Sequence, residues 1–157
     1  MGSPRPASAS RVEMTQIVLP GDTNALGTAF GGKVMEWIDI AAAVAAQRHA
    51  GCIAVTASFD SVQFVHPIHL GDVVVLYAQV NRAWRSSMEV GVRVEREQAD
   101  EQQTRHHAVT AYLTFVAVDK AGKPIAVRPV AAQTDAEMRR HAEAELRRSR
   151  RLEERRS

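Results

Sequence analysis

The run Gly31-Gly32-Lys33-Val34-Met35-Glu36-Trp37-Ile38-Asp39-Ile40-Ala41-Ala42-Ala43-Val44-Ala45-Ala46-Gln47-Arg48-His49-Ala50, followed by Gly51, decides how this chain folds. Alanine, methionine, glutamate and lysine dominate it, and all are good helix formers. At 100° per residue, Val34, Ile38, Ala41, Ala42 and Ala45 fall on one broad apolar face. Gly51 stands where a helix C-cap glycine belongs. The reading is a helix over residues 31–50 that must bury one side.

Four strand-like runs follow it. They cover Ile53 to Val65, Asp72 to Trp84, Ser86 to Glu97 and Arg105 to Val118. In the third, Met88, Val90, Val92 and Val94 alternate with Glu89, Gly91, Arg93 and Glu95, the pattern of a half-buried antiparallel strand. Upstream, Val12 to Leu19 reads as a further short strand. The turn formers Pro20-Gly21-Asp22-Thr23-Asn24 read as a loop. Consecutive antiparallel strands joined by short turns can cover a single helix. The fold class is therefore α+β, a curved antiparallel sheet wrapped around one long central helix, with a polar C-terminal helix added.

The ends read differently from the middle. Residues 1–11, rich in Ser, Pro and Ala, read as a flexible arm. Residues 12–130 form the folded domain. Residues 131–157 form an Arg/Glu-rich helical tail, opened by the capping-box pattern Thr134-Asp135-Ala136-Glu137 and expected to be solvated. The formal charge is +2, and its distribution excludes a basic core. Up to Ala132 twelve Lys plus Arg balance twelve Asp plus Glu; beyond it eight Arg face six acids. A nucleic-acid partner is not expected. Nor is a membrane partner, because the apolar run Ile40 to Ala46 is far short of the ~20 residues of a span.

The single cysteine, Cys52, cannot form an internal disulfide, and it reads as a buried, inert thiol at the start of a strand. With no apolar leader in residues 1–10, cytoplasmic residence is the expectation. The six histidines lack ligand spacing, so no metal is expected. No Gly-x-Ser-x-Gly elbow and no phosphate-cradling loop occur.

The chain resembles the hot-dog-fold acyl-CoA thioesterases, and most of all the cytosolic acyl-CoA hydrolases and their bacterial YciA-type relatives. Four blocks carry the resemblance: Asn24 through Asp39; Thr56-Ala57-Ser58-Phe59-Asp60-Ser61-Val62 continuing to Phe64, Pro67 and Gly71-Asp72; Arg85-Ser86-Ser87-Met88-Glu89-Val90; and Tyr112 through Asp119. Together they span about Met14 to Pro129. Trp84 departs from the small residue this branch carries before the Arg-Ser-Ser turn.

Hydrolysis of a thioester needs a group that activates water or attacks the carbonyl, and donors for the developing oxyanion. Asp39, an acid among apolar neighbours at the edge of the buried helix face, is the candidate base or nucleophile. The competing reading is a solvated helix stripe with Glu36 and Gln47. Gly31 and Gly32 open the helix with free amides. The resemblance implies that Asp39 is the catalytic acid, that an amide at Gly31–Gly32 polarises the carbonyl, and that Asn24 acts with the Asp of a neighbouring subunit. Arg82, Arg85, Ser86 and Ser87 are candidates for the CoA phosphates and pantetheine. Thr56 and Ser58 are further substrate contacts, and Asp60 is structural.

The implied activity is release of a free carboxylic acid and CoA, without a cofactor, by a homodimer or a trimer of dimers. A hydroxyacyl thioester dehydratase of the same fold would need a His near the helix start, where none lies. A non-catalytic acyl-CoA sensor would add a DNA-binding module, and none is visible unless the Arg-rich tail serves as one.

Overall fold

The computed structural model describes residues 2–157. Its elements are β1 (Arg5–Pro6), a 3-10 turn (Ala7–Ser10), β2 (Val12–Ile17), a second 3-10 turn (Pro20–Asp22), α1 (Gly31–Ala50), β3 (Ala54–Phe64), β4 (Val73–Ala83), β5 (Ser87–Glu97), β6 (Arg105–Ala117), β7 (Val130–Ala131) and α2 (Asp135–Arg156). Five strands make one sheet in the order β2-β4-β5-β6-β3, antiparallel throughout. The strand that follows the helix thus sits at an edge of the sheet. β1 and β7 form a separate parallel pair.

The helix has the predicted bounds. Gly51 ends it in the left-handed region, at φ 70°, which a residue with a side chain would adopt only with strain. Val34, Ile38, Ala41, Ala42 and Ala45 are all buried, joined by Trp37 and Ala46. The small alanines let the helix lie close against the sheet, where it meets Leu76, Val80, Met88, Val90, Val94, Leu113 and Phe115 in one core.

Both ends differ from the flexible and solvated segments expected of them. Arg5–Pro6 pair with Val130–Ala131, and Ala7 and Ser10 are buried. The Ser10 hydroxyl accepts from the Val80 amide at 2.9 Å and donates to the Ala7 carbonyl at 2.7 Å. Arg5 donates to the carbonyls of Arg48 and His49, which the end of α1 leaves without helical partners.

The capping box at Thr134 forms, with Glu137 N donating to Thr134 Oγ1 at 3.1 Å. The helix it starts is docked along one side. Side chains alternate across a strand, so Glu89 and Tyr112 face away from α1, opposite Met88 and Leu113. On that outer face Arg147 grips the fully buried Glu89 through two bonds, of 2.7 and 2.9 Å, and stacks 3.7 Å above the Tyr112 ring. Cys52 lies in the turn after α1 rather than on β3. It is half-buried, with its thiol directed at the next residue's carbonyl 3.5 Å away.

Candidate active site

Asp39 is half-buried on α1. The chain reverses at Gly51, and β3 runs back beside the helix. This return sets Thr56 against the acid, its Oγ1 donating to Asp39 Oδ1 at 2.6 Å. A hydroxyl bonded to a carboxylate at this distance is a short, charge-assisted bond that fixes the carboxylate's orientation.

Ser58, two residues on, does not join them. The register slips between Thr56, opposite Phe115, and Ser58, opposite Thr114. This irregularity sends Ser58 to the outer face. There its hydroxyl donates to Asp60 at 2.6 Å, and Asp60 also accepts from Thr114 at 2.6 Å. Ser58 thus lies with Asp60 on the side that α2 covers, apart from Asp39 and Thr56.

Gly31 and Gly32 occupy the first two positions of α1, behind Phe30, which supplies no side-chain cap. Lys33 N and Val34 N both donate to the Phe30 carbonyl, at 3.0 and 3.1 Å. The amides of Gly31 and Gly32 have no acceptor among the described residues, and the space above Gly32 is open. Two unsatisfied N–H groups at the positive end of a twenty-residue helix form a seat for negative charge.

Asn24 is half-buried in the loop ahead, and the loop uses its side chain. Oδ1 accepts from Leu26 N at 2.9 Å and Thr28 N at 3.2 Å, while Nδ2 donates to Thr28 Oγ1 at 2.8 Å. One of the two protons on Nδ2 is used in this way, and the other is left to offer.

Of the four residues expected at the CoA end, Arg85, Ser86 and Ser87 lie at the turn between β4 and β5, and Arg82 lies on β4. Ser87 pairs with Val116 and Met88 with Phe115, while Thr56 pairs with Phe115 from the other side. The turn Arg85-Ser86-Ser87 is thus one residue beyond the row that holds Thr56, two strand spacings or roughly 10 Å across the sheet. Arg85 is exposed. Arg82 is not directed at that end. Its Nε lies 3.4 Å from Glu145, and its Nη1 donates to the His141 carbonyl at 3.2 Å, so it anchors α2. Trp84 does the same, donating from Nε1 to Glu145 at 2.8 Å beneath the Arg148 guanidinium. That contact accounts for an indole where a small residue was expected.

Two hollows mark the surface. The larger, about 470 Å³ and lined by Tyr77, Asn81, Arg93, Tyr112 and Arg140, lies on the outer face away from Asp39. The smaller, about 240 Å³, opens beside the helix start between Ala29, Val34, Phe64, Pro67 and Ile68. No cluster of three or more His, Cys, Asp or Glu suited to a metal ion occurs among the described residues. No helix among them is long and apolar enough to cross a membrane.

Residues 26–102 match the model of the Thioesterase superfamily. The chain is 45% identical over 132 residues to the uncharacterized acyl-CoA thioester hydrolase YkhA of Bacillus subtilis, covering 84% of this chain and 76% of that one. The chain belongs to the acyl-CoA thioester hydrolases. It is also 41% identical over 143 residues to mouse acyl-coenzyme A thioesterase 11, covering 91% of this chain but only 24% of that longer protein.

Among solved structures, an apo-hexameric acyl-CoA thioesterase superposes with a TM-score of 0.93 at 42% identity, covering 97% of each chain. The acyl-CoA hydrolase of Staphylococcus aureus, solved with butyryl coenzyme A and coenzyme A, superposes at 0.90 with 40% identity, covering 96% of this chain and 92% of that one. It has also been solved as single alanine variants of an Asn, an Asp and a Thr. The fold is the hot-dog fold, with α1 as its central helix. The pairing of Thr56 with Asp39 was missed from sequence, because strand periodicity carries no sign of which hydroxyl meets an acid on a distant helix.

Proposed function

We propose that this chain hydrolyses acyl-CoA thioesters, with Asp39 as the reacting carboxylate and Thr56 as the hydroxyl that aims it. The observation that carries the reading is the 2.6 Å bond between them. The spacing in the Staphylococcus aureus enzyme supports it. Fifteen residues separate the substituted Asn from the Asp there, and seventeen the Asp from the Thr; the same intervals separate Asn24, Asp39 and Thr56 here.

In the general-base route, Asp39 takes a proton from water as the water oxygen attacks the carbonyl carbon. Negative charge collects on the carbonyl oxygen, where the amides of the partner subunit's Gly31 and the partner subunit's Gly32 and the spare proton of the partner subunit's Asn24 stabilise it, because eight residues of α1, roughly 12 Å, separate Gly31 from Asp39 within one chain. Collapse breaks the C–S bond, and the proton passes to the CoA thiolate. In the nucleophilic route, Asp39 attacks the carbonyl carbon first, the C–S bond breaks to release the CoA thiolate, and water then cleaves the mixed anhydride to give the free acid, regenerating the carboxylate and yielding the proton that the thiolate takes. Both routes need the same groups, and neither is assigned a metal or cofactor. Arg85, Ser86 and Ser87 receive the CoA end, an arrangement supported by their place one residue beyond the row of Thr56.

The proposal includes a homodimer in which Asn24 of the partner subunit faces Asp39, and assembly to a hexamer like that of the related thioesterase. Cytoplasmic residence belongs to it as well, supported by a lone cysteine. The deciding experiment is Asp39→Ala: CoA release from a panel of acyl-CoAs is expected to vanish while the oligomer persists. Full activity in that variant sinks the assignment.

A further inference from the structure

We infer that the cleft beside Gly31 seats the acyl chain, and that the Phe64 ring sets how long a chain it takes. The inference rests on the hydrolase reading above and adds the substrate's apolar half to it. The lining is mainly hydrocarbon, from Ala29, Val34, Phe64, Val65, Pro67 and Ile68, and only Thr28 and His66 add polar atoms. It holds no carboxylate, lysine or arginine, so it suits an alkyl chain and not the phosphates of CoA.

One end is closed. Val34 and Ile68 are 1% and 4% exposed, fixed in the core, so the chain cannot extend past them without moving the fold. The other end adjoins the helix start. The tip of the Phe64 ring is 3.7 Å from where a side chain on Gly31 would begin. The ring therefore stands against the bare α-carbon of the residue whose amide is free. A carbonyl held at Gly31–Gly32 places its first methylenes beside that ring.

Size then sets the substrate class. The cleft holds about 240 Å³. Pockets for a whole small-molecule ligand run from about 300 to 1,000 Å³, so this one fits part of a substrate. The expected acyl group is short to medium in length.

Phe64 is the adjustable wall. It is the last residue of β3, its backbone is fixed by pairing with Val109, and the residue is 53% exposed. Truncating it enlarges the cleft without hollowing the core.

The test measures kcat/KM for butyryl-, octanoyl- and palmitoyl-CoA by thiol release, in the natural chain, Phe64→Ala and Phe64→Trp. Phe64→Ala is expected to raise the palmitoyl-to-butyryl ratio by about tenfold or more. Phe64→Trp is expected to shift the octanoyl-to-butyryl ratio in the opposite sense by a similar factor. Opposed shifts also exclude general damage to the fold as their cause. Unchanged ratios in both variants, or an equal fall for all three substrates, overturn the role of Phe64 and leave the hydrolase reading standing. If the natural chain releases CoA from none of the three, the hydrolase reading falls and this inference falls with it.

Discussion

Thr56 is exposed on an edge strand, yet its hydroxyl is committed to a half-buried carboxylate on the neighbouring helix. A hydrogen bond to a charged group contributes about 1.5–3 kcal/mol, or roughly tenfold to a hundredfold when it serves the transition state. Thr56→Ala is therefore expected to lower kcat by about that factor, and Thr56→Ser to keep most of it; steady-state CoA release checks both, and wild-type turnover in Thr56→Ala removes the hydroxyl from the chemistry. The place of Asp39 at the rim of the buried helix face was legible in the sequence, since an acid among Trp37, Ile38, Ile40 and Ala41 stands out there; the periodicity alone left it equally a member of a solvated stripe with Glu36 and Gln47. The face that Ser58 takes was not legible, because the irregularity after Thr56 leaves no trace in the alternation. His49 carries the pH dependence at this scale. It is fully buried, with Nε2 donating to the Arg128 carbonyl at 2.8 Å and Nδ1 without a partner. Burial pushes its pKa below the ordinary 6.5, and the positive charges of Arg5 and Arg128 push the same way against the opposing effect of the Arg128 carbonyl. The folded chain thus keeps His49 neutral while the unfolded chain takes up a proton as pH falls through about 6.5, so stability drops below that pH and continues to drop until the lower folded value is passed. Thermal unfolding from about pH 7.5 to about pH 5 is expected to show this loss, and His49→Gln to show less of it whatever its starting stability.

At the scale of elements, the central helix and the five main strands were legible to within two residues, because burial on one side writes a period into the sequence. The two ends were not. The arm is attached through Arg5, Ser10 and a two-residue pairing, and α2 mainly through charged side chains, so neither contact writes an apolar period into the sequence. Arg147 on Glu89, Arg151 lying 3.6 Å from Asp60, and Glu145 under Trp84 turn what reads as a solvated charged face into a docked one. Glu89 itself was read as the wet side of β5. It is fully buried because α2 covers it, with Asn81 Nδ2 donating to its Oε1 at 3.0 Å beside Arg147. An ion pair of this kind resists the loss of one member more than the loss of both, since a lone buried carboxylate has no counter-charge. Arg147→Ala is expected to cost about 3–5 kcal/mol. Replacing both residues, as Glu89→Leu with Arg147→Leu, is expected to recover most of that. Urea unfolding of the three variants checks the order, and equal losses in the single and double variants would show that α2 is held by something else.

For the whole molecule, the question is why so much apolar surface faces outward on one side. Ile40 and Val44, one turn apart on α1, are 49% and 36% exposed, and Asp39 stands beside them. Ile53 and Val55 lie exposed at the start of the edge strand, and Leu26 is 86% exposed in the loop that holds Asn24. Exposed leucines scattered singly need no explanation, but this set borders an unpaired strand edge and the residues proposed for chemistry. A second copy pairing along β3 would cover the edge and bring the partner subunit's Asn24 loop toward Asp39. On this view, breaking the assembly removes activity without touching any reacting group. The side chain of Leu26 supports little of its own chain, and Ile53 precedes β3 without entering the core. Leu26→Asp and Ile53→Asp, made separately, are each expected to shift the mass in solution toward a single chain and to lower CoA release in proportion. The natural chain should likewise lose specific activity on dilution below its dissociation constant. Light scattering coupled to size exclusion, with turnover measured across a dilution series, checks all three. A monomer that keeps full turnover at every concentration would mean that one chain completes the site alone, and that the outward apolar face has some other use.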